Sequence, residues 1–455
     1  MRSSLTLGPL CVALAACSGA EPPPKAPTEP APAQAVTPAP TAPEKAASPE
    51  KEAPPPAKPK GPTQPLNVLL ILVDSMRADM PWAGYSRPIA PVLTQLEKES
   101  ISYTRAYAIS SYTAKSVAGL LAGQYPSTLK RSGYFFTKYP PSNLFFPELL
   151  QKAGVATLSA HGHMYMKRGN GMDQGFDHWE VVQGIDFDNT TDKHITSNKL
   201  TPLAISQLEK TPNDKPFFMY LHYMDPHDQY VKHEESPDWG RKNRDRYDSE
   251  IFYTDLWIGK LLDYCKKQPW WSKTAVVVSA DHGEAFGEHK MYKHAFELWD
   301  VLTHVPLFIR IPGVEARRID TARGHIDLAP TIMELMGVKG DPVFAGKSLV
   351  PEVYGAQEPQ PRPVLMDLPA DSNNPERRAL VHGDYKLIAY GNDWRFDLYN
   401  LKDDPGELRN LARREKEKLE EMKKVYLEVM SGIKRIKPFG GNKLMGGGRA
   451  TGPRE

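Results

Sequence analysis

Two seven-residue apolar runs in this chain each stop at an aspartate. Asn67-Val68-Leu69-Leu70-Ile71-Leu72-Val73 runs into Asp74, and Thr274-Ala275-Val276-Val277-Val278-Ser279-Ala280 runs into Asp281-His282-Gly283-Glu284. Unbroken apolar runs rich in Val, Ile and Leu predict strands buried on both faces, as in a parallel sheet. Further strands are expected at 154–160, 217–223 and 305–310, and helices at 89–99, 143–152, 197–210 and 248–266. This alternation predicts a doubly wound α/β sheet with helices on both faces. After Glu352 the pattern changes. The segments 378–388 and 396–400 read as an antiparallel hairpin turning at Gly391 and Asn392, followed by a charged helix near 413–433. The expected divisions are a main domain at 66–350, a C-terminal subdomain completing it at 351–436, and a Gly-rich basic tail at 437–455.

Composition changes the picture mainly at the N-terminus. Many of the 43 prolines crowd between Glu21 and Pro65, in a stretch too poor in apolar residues to fold. Residues 18–65 therefore read as an extended tether. Ahead of it, Arg2 and an apolar run from Leu5 to Ala16, too short to span a bilayer, lead to Leu14-Ala15-Ala16-Cys17. This resembles a bacterial lipoprotein signal occupying residues 1–17, with Cys17 as the lipidated residue; an ordinary secretory signal is the alternative. Ser18 follows the cysteine, with no Asp there, so the expected address is the cell envelope, anchored at the outer membrane. Of the three cysteines, Cys11 leaves with the signal and Cys265 stands alone, which excludes an internal disulfide in the mature chain. A formal net charge of +2 argues against a nucleic-acid partner.

Ligands in open α/β sheets bind beyond the carboxyl ends of the strands. Asp74, Asp281 and His282 all fall there, which makes them candidate ligands for a divalent cation, although a lone Asp after a strand is usually a loop cap. Between the two acids, Ser110-Ser111-Tyr112-Thr113 precedes a helix-like run from Ala114 to Gly123. The free amides and dipole of a helix start favour an anion, while on spacing alone Thr113 or Ser111 reads as no more than an N-cap.

Several motifs in order carry a resemblance to the sulfatase branch of the alkaline phosphatase superfamily. They are the opening strand to Asp79; Thr113 to Gly123-Gln124-Tyr125-Pro126; Gln174-Gly175-Phe176-Asp177; His222-Tyr223-Met224-Asp225-Pro226-His227; Asp281-His282-Gly283-Glu284 through His289 to Lys293-His294; His325-Ile326-Asp327-Leu328-Ala329-Pro330-Thr331; and Tyr385-Lys386-Leu387-Ile388. The resemblance implies an alkaline-phosphatase-like fold with a small C-terminal antiparallel sheet and helix. It also implies one divalent cation held by Asp74, Asp281, His282 and Thr113.

The departures matter as much. Sulfatases carry C/S-x-P-x-R, whose first residue is oxidised to formylglycine, but here Thr113 stands at that position, Lys115 replaces the Pro and Val117 the Arg. Ser75 also breaks the usual pair of adjacent aspartates. Threonine cannot become formylglycine. A covalent threonine intermediate must be cleared by a second in-line attack, which suits phosphoryl groups. The expectation is therefore a metal-dependent hydrolase or transferase of phosphate esters, with a sulfuric ester hydrolase lacking formylglycine as the alternative. A catalytically silent envelope binding protein is a further alternative, which the intact acids oppose because buried carboxylates need a counter-charge.

By the same resemblance, His227 meets substrate oxygens or protonates the leaving group, and His294 is the catalytic candidate for substrate contact on the loop that supplies a cation to the substrate in relatives. Lys115 is a candidate to neutralise an ester oxygen. Lys293, His161 and His163 are candidates for substrate contact, with Lys293 equally readable as a surface residue. His161 and His163 could also hold a second metal, though one is the expectation; His222, His289 and His304 read as structural. Oxygen ligands favour Ca²⁺ or Mg²⁺, while an imidazole admits Mn²⁺ or Zn²⁺.

Overall fold

A computed structural model describes residues 60–185 and 195–440. The signal segment with Cys17, the tether as far as residue 59 and the tail from 441 lie outside the described residues. No helix among those described is long and apolar enough to cross a membrane.

The main sheet contains β1 (Asn67–Val73), β2 (Ile101–Tyr107), β3 (Ala156–His161), β4 (His178–Val181), β5 (Phe217–Tyr223) and β6 (Thr274–Ala280). A short pair, β7 (Ala285–Phe286) and β8 (Tyr292–Lys293), follows outside it, and then β9 (His304–Arg310), β10 (Arg317–Ile319) and β11 (Arg323–Gly324) return to it. The spatial order is β10-β2-β9-β6-β1-β5-β3-β4, with β11 also on β2. Its pairings are parallel except those of β9, which runs antiparallel to both β2 and β6. The sheet is thus mostly parallel, as expected, with β9 as its antiparallel member.

The two acid-terminated runs are neighbours. β1 and β6 pair in parallel with Val73 opposite Ala280, so Asp74 and Asp281 emerge side by side. On its other side β1 pairs with β5, bringing Leu72 level with His222, and β5 pairs with β3, bringing His222 level with His161. Four central strands therefore deliver their last residues to one crevice.

The helices are α1 (Pro91–Lys98), α2 (Thr113–Ala122), α3 (Phe146–Lys152), α4 (Ser197–Lys210), α5 (Asn243–Cys265), α6 (Asp300–Thr303), α7 (Leu328–Leu335), α8 (Val350–Val353) and α9 (Lys416–Ser431). Alternate residues of β1 serve opposite faces. Val68, Leu70 and Leu72 join a core with residues of α2, α3 and α7, while Leu69, Ile71 and Val73 join another with residues of α1, α4 and α5. Full burial of such side chains contributes roughly 1.5–3 kcal/mol each, which explains why these strands read as unbroken apolar runs.

The C-terminal sheet has four antiparallel strands, β12 (Val364–Leu368), β13 (Arg377–His382), β14 (Tyr385–Tyr390) and β15 (Arg395–Asn400). The single strand expected at 378–388 is folded back on itself at Gly383, whose φ of +58° suits the tight turn between β13 and β14. One face of this sheet shares a core with Tyr107, Tyr112 and Ala114, and the other is covered by Met422 and Tyr426 of α9. It thereby buttresses the start of α2.

Candidate active site and metal centre

Asp74, at the end of β1, is fully buried and is approached from several elements. Its Oδ2 lies 2.8 Å from His163 Nε2, 3.1 Å from His222 Nε2 and 3.4 Å from Thr113 Oγ1. Its Oδ1 accepts from Ser75 Oγ at 2.8 Å and lies 3.7 Å from His282 Nε2. Asp281 Oδ1 accepts the backbone amides of His282 at 3.0 Å and Ser75 at 3.3 Å. Its Oδ2 is buried with no hydrogen-bond partner among the described residues.

Ser75 lies in the left-handed region, at φ +58°. This conformation is uncommon for a residue with a Cβ. Here it is held by the amide's contact with Asp281 and by a 2.9 Å hydrogen bond that the Ser75 carbonyl accepts from Tyr247 Oη. The turn aims both Ser75 donors at the two acids.

Thr113 is the first residue of α2, and its Oγ1 lies 3.1 Å from His282 Nε2. The helix start is fixed from outside: Ser116 Oγ donates to the Asp281 carbonyl at 2.6 Å, and Tyr139 Oη donates to the Ala114 carbonyl at 2.9 Å. His282 Nδ1 donates to the Gly283 carbonyl at 3.0 Å, which leaves Nε2 as the lone-pair nitrogen facing Asp74, Asp281 and Thr113.

Protonation follows from burial. Burial alone would raise the Asp74 carboxyl, but hydrogen bonds from His163 and His222 carry it well below the usual carboxylate range. Burial lowers His163 in spite of Asp74. Together the two shifts describe a carboxylate facing a neutral imidazole, the state in which both can ligate a metal.

A divalent cation fits these residues. Asp74, Asp281 and His282 can bring one ligand atom each to a common point, and so can Asp74, His163 and His222. Asp281 Oδ2 has no hydrogen-bond partner among the described residues and faces His282 Nε2 at 3.3 Å, an arrangement that a missing counter-ion explains, since a buried carboxylate oxygen without a hydrogen bond is costly. Asp74, Asp281 and His282 would hold the ion.

The remaining candidates fall at different distances from this point. His227, half-buried, donates Nδ1–H to the Asp228 carbonyl at 3.0 Å, and its ring lies 5.7 Å from that of His163 and 5.0 Å from that of His294. His294 Nδ1 sits 3.3 Å from both Glu284 carboxyl oxygens, with its ring 4.2 Å from that of His282. Burial, with the charges of His282 and His227, holds His294 well below an ordinary imidazole. Burial pushes Glu284 up to about 7.

Lys293 is exposed on the rim and ion-paired to Asp228 at 2.6 Å. Lys115 is buried against Tyr112 and Asp371, with its ammonium on the Asp371 carboxylate, so its charge is engaged away from the acids of the centre. His161 is fully buried, its ring tilted at 51° to that of Trp179 with a separation of 4.7 Å, and neither of its nitrogens has a hydrogen-bond partner among the described residues. It stands beside the cluster rather than in a ligand set.

His222 is the residue that sequence reasoning set aside. It interrupts the apolar run Phe217-Phe218-Met219-Tyr220-Leu221 near the end of a fully buried strand. A polar residue at that position needs a partner, and that was the available signal.

The sulfatase family model matches residues 66–338, and a model of the N-sulphoglucosamine sulphohydrolase C-terminal region matches residues 287–434. The chain belongs to the sulfatase family and is an enzyme of the hydrolase type. It is 24% identical to a choline-sulfatase of Rhizobium meliloti over 76% of this chain and 82% of that one. Among solved structures, one in complex with its substrate D-glucosamine-2-N,6-O-disulfate aligns with a TM-score of 0.66 at 19% identity, covering 81% of this chain and 97% of the other. A phosphonate monoester hydrolase of Agrobacterium radiobacter aligns with a TM-score of 0.65 at 16% identity, covering 81% and 96%.

Proposed function

We propose that this chain hydrolyses sulfuric esters through a covalent intermediate on Thr113, without formylglycine. The observation carrying the reading is the Thr113 hydroxyl at the start of α2, 3.4 Å from Asp74 and 3.1 Å from His282, in a chain of the sulfatase family. The named sulfatases among its relatives support this reading, the alternative in the sequence analysis, better than the phosphate-ester one.

The residues divide the work. A bound cation would neutralise charge on the ester oxygens and acidify the threonine hydroxyl. Thr113 gives up its proton to solvent and Oγ1 attacks the sulfur. The bond between sulfur and the ester oxygen breaks, and the leaving alcohol takes a proton from the His227 imidazolium, leaving it neutral. His294, held neutral, donates a hydrogen bond to a non-bridging oxygen. Water then attacks the sulfur and passes a proton to His227, the bond to Thr113 breaks, sulfate leaves, and the Thr113 oxygen takes back a proton from solvent. Thr113 has no second hydroxyl with which to expel sulfate by collapse, so this second step is the slow one.

One observation favours a second reading, phosphoryl-ester hydrolysis or transfer. A plain hydroxyl nucleophile suits two successive in-line displacements at phosphorus. The test offers aryl sulfate, phosphate monoester, phosphate diester and phosphonate to the purified full chain supplied in turn with Ca²⁺, Mg²⁺, Mn²⁺ and Zn²⁺. Turnover of the sulfate ester above the others supports the proposal; phosphoryl turnover with the sulfate untouched replaces it with the second reading. The envelope address through Cys17 remains part of the proposal. Incorporation of a labelled fatty acid, abolished by Cys17→Ala, tests it.

A further inference from the structure

We propose that Asn374, on the loop between β12 and β13 of the C-terminal sheet, is a positioning residue that fixes where His294 sits. The inference deepens the proposed function: it rests on His294 meeting a non-bridging oxygen of the ester, and on neither the choice of sulfate over phosphate nor Thr113 as nucleophile.

The backbone around His294 needs an outside hold. Of the eight residues from His289 to Phe296, five lie in the left-handed region and none of them is glycine: His289 at φ +51°, Lys290 at +61°, Lys293 at +69°, Ala295 at +70° and Phe296 at +62°. Residues with a Cβ rarely take this conformation, and a cluster of them persists only where the surroundings over-determine it. His294 stands between Lys293 and Ala295, inside the strained run. The two amides that follow it are gripped from distant parts of the chain. Ala295 N–H donates to the Ser111 carbonyl at 2.9 Å, and Phe296 N–H donates to Asn374 Oδ1 at 2.8 Å. The first hold is main chain on both sides; the second depends on one side chain.

Asn374 is itself fixed. It is fully buried, its backbone N–H donates to Asp371 Oδ1 at 2.8 Å, and its Nδ2 lies 3.3 Å from Oδ1 and 3.2 Å from Oδ2 of the same carboxylate. With the amide nitrogen turned to Asp371, the amide oxygen is the atom left to face Phe296. Asp371 also accepts Tyr112 Oη at 2.5 Å and the Lys115 ammonium, from residues on either side of Thr113. One loop of the C-terminal sheet thus ties the start of α2 to the segment that carries His294, and holds both in one frame. Loss of Lys115 takes away one partner of Asp371 but leaves the turn through Asn374, so the frame is tested at Asn374.

The test is a double-mutant cycle on the full chain, run with its fastest ester and with circular dichroism reporting folding. Asn374→Ala is expected to lower kcat about 10–100-fold with KM within about threefold, because a displaced His294 is missed in the transition state more than in binding. His294→Ala is expected to lower kcat at least as far. In the double variant the losses should not multiply: kcat should stay within about threefold of His294→Ala alone, as for residues that act as a unit. Should Asn374→Ala fail to fold, Asn374→Ser carries the same cycle, its shorter hydroxyl able to serve Asp371 but not to span to the Phe296 amide. Losses that multiply in the double variant, or a folded Asn374 variant with unchanged kcat, overturn the proposal. An unchanged kcat in His294→Ala also overturns it, and places the failure in the His294 step of the ester reading rather than in the Asn374 contact. The cycle reads the same whether the ester turned over is a sulfate or a phosphate.

Discussion

Gly283→Ala isolates the link between packing and chemistry, because Gly283 touches the centre only through its neighbours. Its amide donates to the Leu302 carbonyl at 2.9 Å, and its carbonyl receives His282 Nδ1–H at 3.0 Å. A Cβ placed there would meet the Val301 carbonyl oxygen at 2.1 Å. Carbon–oxygen contacts in proteins settle near 3.3 Å, so backbone must yield by about 1 Å. Both clashing groups are main chain, and no side-chain rotation relieves them. Overpacking of this kind costs about 1–3 kcal/mol. The same displacement carries the carbonyl that orients His282, and a misplacement near 1 Å can lower catalysis about 100-fold. The expected variant folds with a lower urea midpoint, binds its cation more weakly, and loses about two orders of magnitude in kcat/KM. Measurement couples urea denaturation, metal titration and turnover of the best ester found. Unchanged metal affinity and kcat/KM would refute the reasoning that His282 is positioned through Gly283.

Other predictions follow from the same contacts. Chelation should destabilise the protein, because Asp74 and Asp281 lose their counter-charge; a ligand at 100 times its Kd contributes about 2.7 kcal/mol, so differential scanning should show an upward shift in Tm on reloading. Lys115→Met leaves buried Asp371 without its ion-pair partner and should cost about 3–5 kcal/mol in urea denaturation, with kcat of the folded fraction within severalfold of wild type. A large selective loss of kcat would return Lys115 to the catalytic machinery. Asp255 accepts the first amides of α1, from Val92 at 2.9 Å and Leu93 at 2.8 Å, and burial raises its carboxyl to about 7. Its folded value exceeds its unfolded one, so its contribution is fully present below pH about 4 and is lost as pH rises towards 7. Asp255→Asn should flatten that part of the stability profile, and an unchanged slope would contradict the assignment.

Much of the centre was legible because buried parallel strands have a distinctive pattern and deliver ligands at their carboxyl ends. The bounds of β1, β5, β6 and α4 match those expected from periodicity. β2 was not read as a strand, because Ile101-Ser102-Tyr103-Thr104-Arg105-Ala106-Tyr107 carries polar residues at positions a buried strand rarely tolerates. Its partner β9 has an ordinary apolar pattern, and direction is not written in such a pattern, so the antiparallel pairing could not be foreseen. Asp74, Asp281, His282 and Thr113 are candidates by position and motif, and the structure gathers them at one point. His222 was missed because its significance depends on register: only when β3, β1 and β5 align does its imidazole meet Asp74. The engagement of Lys115 by Asp371 was likewise hidden, because the two residues lie 256 positions apart in sequence and meet only when the C-terminal sheet packs against α2.

The measurement that bears most directly on the central claim is capture of the group on Thr113. The full chain is mixed with its fastest ester, quenched in acid within milliseconds and digested for peptide mass spectrometry. The account predicts a burst of released alcohol approaching one per enzyme, with a sulfo or phospho group on the Thr113 hydroxyl that decays at the steady-state rate. Full turnover with no modified Thr113 peptide, retained in Thr113→Ala, would contradict it.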